Sequence, residues 1–296
     1  MLRKPFTDQR NYVSYFRSQN IPVLRKTAQT LAAQKADEDK ISTRQIAAVV
    51  LDDPLMALKL MMHLQRSRGG QKDHQITTIE RAVMMLGVTP FFRHFSNLTT
   101  VEEQLAAYPN ALVHALRAIT RARRAAGYAR DFALMRHDID VDEITLAALL
   151  HEVAEILCWC FAPELSQQTL VLQNKHPGTR SALVQKITFN ISFSELQFIL
   201  AQELALPKLL AALLDPADAE QPRVRTVALA TDLARHAANG WDDPALPDDF
   251  RKLSELFHLN PAALMQRIGL HGDVIRRLLP RIIDTPPDPD PVPEPN

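Results

Sequence analysis

Apolar residues recur along this chain at the three- and four-residue spacing of helices, and no run alternates with period two convincingly enough to predict a strand. The pattern is densest from Ile144 to Phe161, ITLAALLHEVAEILCWCF, which is apolar almost all the way round a helix and interrupted only by Thr145, His151, Glu152 and Glu155. Such a segment belongs at the centre of a helical domain. The 151–155 and 152–155 spacings place side chains side by side on a helix, so the three titratable groups form one polar stripe on a buried rod. A carboxylate there must be paired, ligate a metal or take up a proton, because burying it bare is too costly.

Around this rod the pattern resolves into capped helices. Residues 7–35 read as two helices separated at Asn20-Ile21-Pro22, with the proline opening the second. Ser42-Thr43-Arg44-Gln45 has the form of a capping box, with Ile41 as its staple residue, and Asp53-Pro54 starts a helix that Gly69-Gly70 ends. Thr77-Thr78-Ile79-Glu80 repeats the capping form, Gly87 reads as a left-handed C-cap and Thr89-Pro90 opens the next helix. A long helix from Pro109 to about Met135 carries His114, Arg117 and Arg121 on one side. Asp140 to Glu143 should cap the central helix, Ser192 to Glu195 begins another, and residues 223–239 and the Asn260-Pro261 start supply more. The reading is all-α: an N-terminal helical subdomain over residues 1–108 packed on a second helical subdomain over 109–283, then a Pro-rich acidic tail, 284–296, expected to be disordered.

Composition narrows the functional classes. With 34 basic and 34 acidic residues the formal charge is zero, so nothing pulls the whole molecule toward nucleic acid or anionic lipid. The basic helix reads as a solvated face rather than a nucleic-acid contact, since no aromatic platform accompanies it. The polar N-terminus lacks the apolar stretch of a secretory signal, and His151, Glu152 and Glu155 argue against a membrane span in the central segment, which makes the cytoplasm the expected location. Cys158 and Cys160, two apart on a helix, point to different sides and read as buried small hydrophobes.

The run DDPLMALKLMMHL followed by ITTIERAVMMLGVTPFFRHF resembles the N-terminal half of the HDOD family, the HD-related output domain, through Asp53, Pro54, Leu55, Ile76, Thr78, Ile79, Ala82, Leu86 and Gly87. Ile21-Pro22-Val23-Leu24 resembles the family's opening motif without its second proline, LLHEVAEIL resembles its HD helix, and Leu206-Pro207 its later LP step. The resemblance spans about residues 14–240 and implies a multi-helix HDOD-like fold. It also implies a role in bacterial signal transduction, as an output or scaffold module meeting other signalling proteins, with cyclic di-nucleotide pathways as frequent company.

The wider HD superfamily binds metal through a first His, a His-Asp pair and a distant Asp, and by resemblance His114, His151, Glu152 and Asp232 fall in those places. They are a candidate ligand set for iron, manganese or zinc. Glutamate for aspartate moves the carboxylate by more than the ~0.2 Å that a metal site tolerates. Where catalytic relatives carry a phosphate-handling lysine this chain has Glu155, a repulsion on the order of 4 kcal/mol per charge pair at 4 Å and an effective dielectric near 20. His137-Asp138 is a decoy in a polar connection. The expectation is a non-catalytic module without cofactor, in which Glu152 and Glu155 are held by Arg117 or Arg121 and by His114, His151 or His236. A metal-dependent phosphohydrolase of nucleotides or cyclic di-nucleotides is the alternative. The expected partner surface is the groove between the N-terminal helices and the HD-like half, to be probed by substitutions around Met61, Met62 and Phe91.

Overall fold

A computed structural model describes residues 1–67, 77–176, 178–204, 211–212, 215–218 and 220–284 of the chain. Their regular elements are helices, and the nearest approach to a strand among them is one parallel bridge between Val23 and Thr100. The first part holds α1 (Arg10–Ser18), α2 (Arg25–Ala36), α3 (Thr43–Leu51), α4 (Pro54–Ser67), α5 (Ile79–Leu86), α6 (Val88–His94) and α7 (Val101–Gln104). There follow α8 (Pro109–Met135), α9 (Val141–Leu150), α10 (Val153–Phe161), α11 (Pro163–Lys175), α12 (Ser181–Phe189) and α13 (Phe193–Glu203). The described chain closes with α14 (Pro222–His236), α15 (Leu246–Phe257), α16 (Pro261–Arg267) and α17 (Asp273–Asp284).

The axis of the molecule is α8, whose buried face is mostly alanine: Ala111, Ala115, Ala118, Ala122, Ala125 and Ala129. Small side chains at a contact let helix axes approach closely. On this rod pack α9, α10 and α14, and α4 bridges from the first half onto α8 and α9. One continuous apolar core therefore runs from Leu55 and Leu58 through Leu146 and Leu157 to Leu233. The segment Val141–Phe161 is long and apolar enough to cross a membrane, yet 83% of its most apolar 18 residues are buried inside the protein.

Asp53 fastens the first half. Its Oδ1 accepts the amides of Leu55 and Met56 at 3.0 and 3.2 Å, starting α4 as the Asp-Pro pair predicts, while Oδ2 accepts the Leu24 amide at 2.7 Å. The proline at position 22 does not open a helix. Ile21 to Leu24 is an extended link, because Val23 exchanges backbone hydrogen bonds with Thr99 and Val101. The capping boxes at Ser42/Gln45 and Ser192/Glu195 form as expected. At α5 the cap is Thr78, which accepts the Arg81 amide, so the frame lies one residue later than the Thr77/Glu80 reading. Gly87 has the expected positive φ of 83° with ψ 153°, outside the left-handed helical well, and it also begins α6.

Two expectations are corrected near the centre. The rod is not one helix: it breaks between α9 and α10 at His151 and Glu152, where the His151 amide reaches the Ala148 carbonyl three residues back. Asp140 sits at the start of α9 without capping it through its side chain, because that carboxylate accepts from Arg223 at 2.6 Å beside Asp138, which Arg223 also holds at 2.7 Å. Asp138 and Asp140 thus clamp the α8–α9 turn to α14 through Arg223. Gly69-Gly70, Ile76, Leu206-Pro207 and the tail from residue 285 lie outside the described residues.

Candidate functional site

Breaking the rod swings Glu152 into the space between α8 and α14, and both of its oxygens are taken there. Arg121 of α8 donates through Nε to Oε2 at 3.0 Å, and Arg235 of α14 donates through Nε and Nη2 to Oε1 at 3.2 and 3.0 Å. Arg121 also reaches Glu155 Oε2 through Nη2 at 2.6 Å, and the Trp159 indole donates to the other Glu155 oxygen at 3.4 Å. Arg235 closes the array by donating to Asp232 Oδ1 at 3.1 Å. The Glu152 side chain is 8% exposed and that of Arg121 18%, so the bond between them is charge-assisted in a largely water-free setting, whereas Arg235 and Asp232 at the edge of the array reach solvent.

The surroundings push the two glutamates in opposite directions. Burial raises the pKa of Glu152, but Arg121 and Arg235 together outweigh it and hold the carboxyl below its ordinary value. Glu155 shares only Arg121 and faces the Glu152 charge, so burial wins and its pKa is raised. His151 lines the same cleft, and burial favours its neutral imidazole. Its Nδ1 is sealed from solvent and has no partner among the described residues.

The sequence-predicted residues therefore divide. Arg121, Glu152 and Glu155 come together, with Asp232 joined through Arg235. Arg117 is exposed on α8 and outside the array. His114 stacks on Trp159 with ring centroids 4.9 Å apart, and His236 pairs through Nδ1 with Asp249 at 2.6 Å. That hydrogen bond raises the His236 pKa, while burial raises that of Asp249.

A metal does not suit this arrangement. Of the candidate ligands His114, His151, Glu152 and Asp232, the two carboxylates are bridged by the guanidinium of Arg235, which puts a fixed positive charge where a cation would have to sit. Among the described residues no three His, Cys, Asp or Glu side chains converge as a metal cage. Cys158 and Cys160 are buried free thiols in the core.

Two residues that build this cluster escaped sequence reading. Arg235 lay inside an apolar repeat, three residues beyond Asp232, and the i, i+3 spacing was its only signal. Gln197 of α13 accepts the Ala154 amide at 2.9 Å, satisfying a backbone donor freed by the break, and nothing local in the sequence marks it.

An all-helical fold, with a polar cluster at an interrupted central helix, defines the class, and comparison with known proteins gives the family. The HDOD domain model matches residues 21–218, well over half of the chain, and the protein belongs to the HDOD family. Among solved structures it is similar to the MmoQ response regulator of Methylococcus capsulatus, with a TM-score of 0.63 at 16% identity over 88% of this chain and 98% of the other. It is similar also to a virulence factor of Campylobacter jejuni, with a TM-score of 0.60 at 17% identity over 93% and 96% of the two chains. At such identities the likeness speaks to the fold. No curated protein sequence matches it significantly.

Proposed function

We propose that this protein is a non-catalytic signalling module, an HDOD output or scaffold domain that works through contacts with other signalling proteins, in the company of cyclic di-nucleotide pathways. One observation carries the reading: Arg235 occupies the space between Glu152 and Asp232, so the acidic groups inherited in the HD-like positions are neutralised by the protein's own guanidinium groups. Membership of the HDOD family supports the signalling half of it. Met61, Met62 and Phe91, expected to lie around the partner groove, are 6%, 7% and 0% exposed and belong to the core, so they offer a partner no surface. Large apolar side chains that do reach solvent include Leu183 and Ile187, one turn apart on α12, and Met84 on α5.

The test is metal analysis of protein purified without chelator, paired with an assay for turnover of nucleotides and cyclic di-nucleotides. No stoichiometric metal and no turnover are expected. Stoichiometric iron, manganese or zinc that disappears in His151→Ala, with hydrolysis abolished by Asp232→Ala in a folded protein, establishes the phosphohydrolase instead.

A further inference from the structure

Beside the arginine–glutamate array lies a cleft whose polar lining the protein does not use up. Its volume is about 430 Å³, in the range of small-molecule sites. Trp159, Leu170 and Phe193 supply apolar lining, and Ser166, Gln173 and Gln197 line it with polar groups. Ser166 and Gln197 are 2% and 5% exposed. The Ser166 hydroxyl, the Gln173 Oε1 and the Gln197 Nε2 are cut off from solvent and have no partner among the described residues.

The backbone fixes what each of these amides offers. Gln197 spends its oxygen on the Ala154 amide, which leaves its NH₂ as the free donor. Gln173 spends its nitrogen on the Thr179 carbonyl at 2.7 Å, which leaves its oxygen as the free acceptor. Ser166 can serve in either sense. The charges of the cleft, by contrast, are engaged with one another: Arg121 and Arg235 bind Glu152, Glu155 and Asp232. A phosphate would find both guanidinium groups occupied, and a cation would find both glutamates so. What remains unmet is a neutral donor–acceptor pattern with apolar lining around it. Each buried polar atom without a partner destabilises the protein, a cost that a matching ligand recovers.

We propose that this cleft binds an uncharged small molecule presenting a ring N–H beside a ring C=O, the lactam edge of a nucleobase such as uracil or hypoxanthine. The N–H is taken by Gln173, the C=O by Gln197, and Ser166 reads a further ring atom. The inference takes from the proposed reading only that Arg121 and Arg235 are engaged by the carboxylates of the array, and its contacts come from Ser166, Gln173 and Gln197.

Calorimetric titration of the full chain with uracil and hypoxanthine, and with the corresponding nucleoside monophosphates, tests it, with metal content measured on the same preparations. Saturable binding of at least one base is expected, with its monophosphate binding more weakly. Gln197→Glu keeps an oxygen for the Ala154 amide but removes the free donor, and Ser166→Ala removes the hydroxyl with little change of shape. Each should weaken the base about tenfold or more, the size of effect that an unpaired buried group produces. Absence of saturable binding by both bases overturns the proposal, as do monophosphates that bind as tightly as the bases or binding unchanged in both variants. A base that binds metal-containing protein upholds this inference and defeats the metal-free reading, while no base binding in metal-free protein does the reverse.

Discussion

Gln197 accepts the main-chain N–H of Ala154 at 2.9 Å across the break between α9 and α10, so a side chain of α13 holds the central rod in its interrupted form. Without that oxygen the amide would be a buried donor lacking its intrahelical carbonyl. Gln197→Leu should cost about 1–3 kcal/mol. Urea denaturation checks the loss, and hydrogen exchange should show the Ala154 amide opening faster than its neighbours. An amide that stays equally protected would mean that α9 and α10 rejoin as one helix.

Glu152 holds two buried or half-buried guanidinium groups, and removing it strands them. Glu152→Ala is expected to destabilise by roughly 3–5 kcal/mol, as breaking a buried ion pair does. Because the Arg235 side chain is 47% exposed, most of that loss should come from Arg121. A double-mutant cycle should therefore show stronger coupling of Glu152 with Arg121 than with Arg235. Equal coupling, or none, would contradict the array as described.

The glutamates should respond to pH with opposite signs. Glu152, whose pKa is lowered by its two arginines, contributes stability that is present above its ordinary value of 4.5 and lost as pH falls through the lowered one. Glu155 is raised by burial, so its contribution is full below 4.5 and lost as pH rises through the raised value. Relative to the unaltered protein, Glu155→Gln should gain stability as pH rises above 4.5, whereas Glu152→Gln should lose it as pH rises toward 4.5 from below and then stay level. Thermal melts on both sides of that value decide the matter, and parallel curves for both variants would refute it.

Asp53 ties the extended link at Leu24 to the start of α4 through three backbone amides. Asp53→Ala leaves those donors without their acceptor and should cost roughly 3 kcal/mol. Asp53→Asn should recover only part of it, since its amide nitrogen would face a donor. Chemical denaturation of the two variants measures the difference, and full recovery by asparagine would show that the charge is immaterial.

Much of this protein is legible in its sequence because the relevant interactions are local. Capping boxes, Asp-Pro and Asn-Pro helix starts, the 27-residue α8 and the all-α class follow from spacing and from side chains that bond to their own backbone neighbours. The same local logic placed Glu152 and Glu155 together and offered Arg117 or Arg121 as their partner, of which the structure uses Arg121. Position in space decided the rest. Pairing Val23 with Thr100 cancels a helix start that Pro22 suggested, and Gln197 breaks a rod that hydropathy reads as continuous. Arg235 from α14 fills the gap between two acids, while His114 and His236 turn to Trp159 and Asp249. Periodicity reports which residues share a face of one helix, but the charge that meets that face comes from a helix 83 residues along the chain, and only the packing on the alanine face of α8 brings it there.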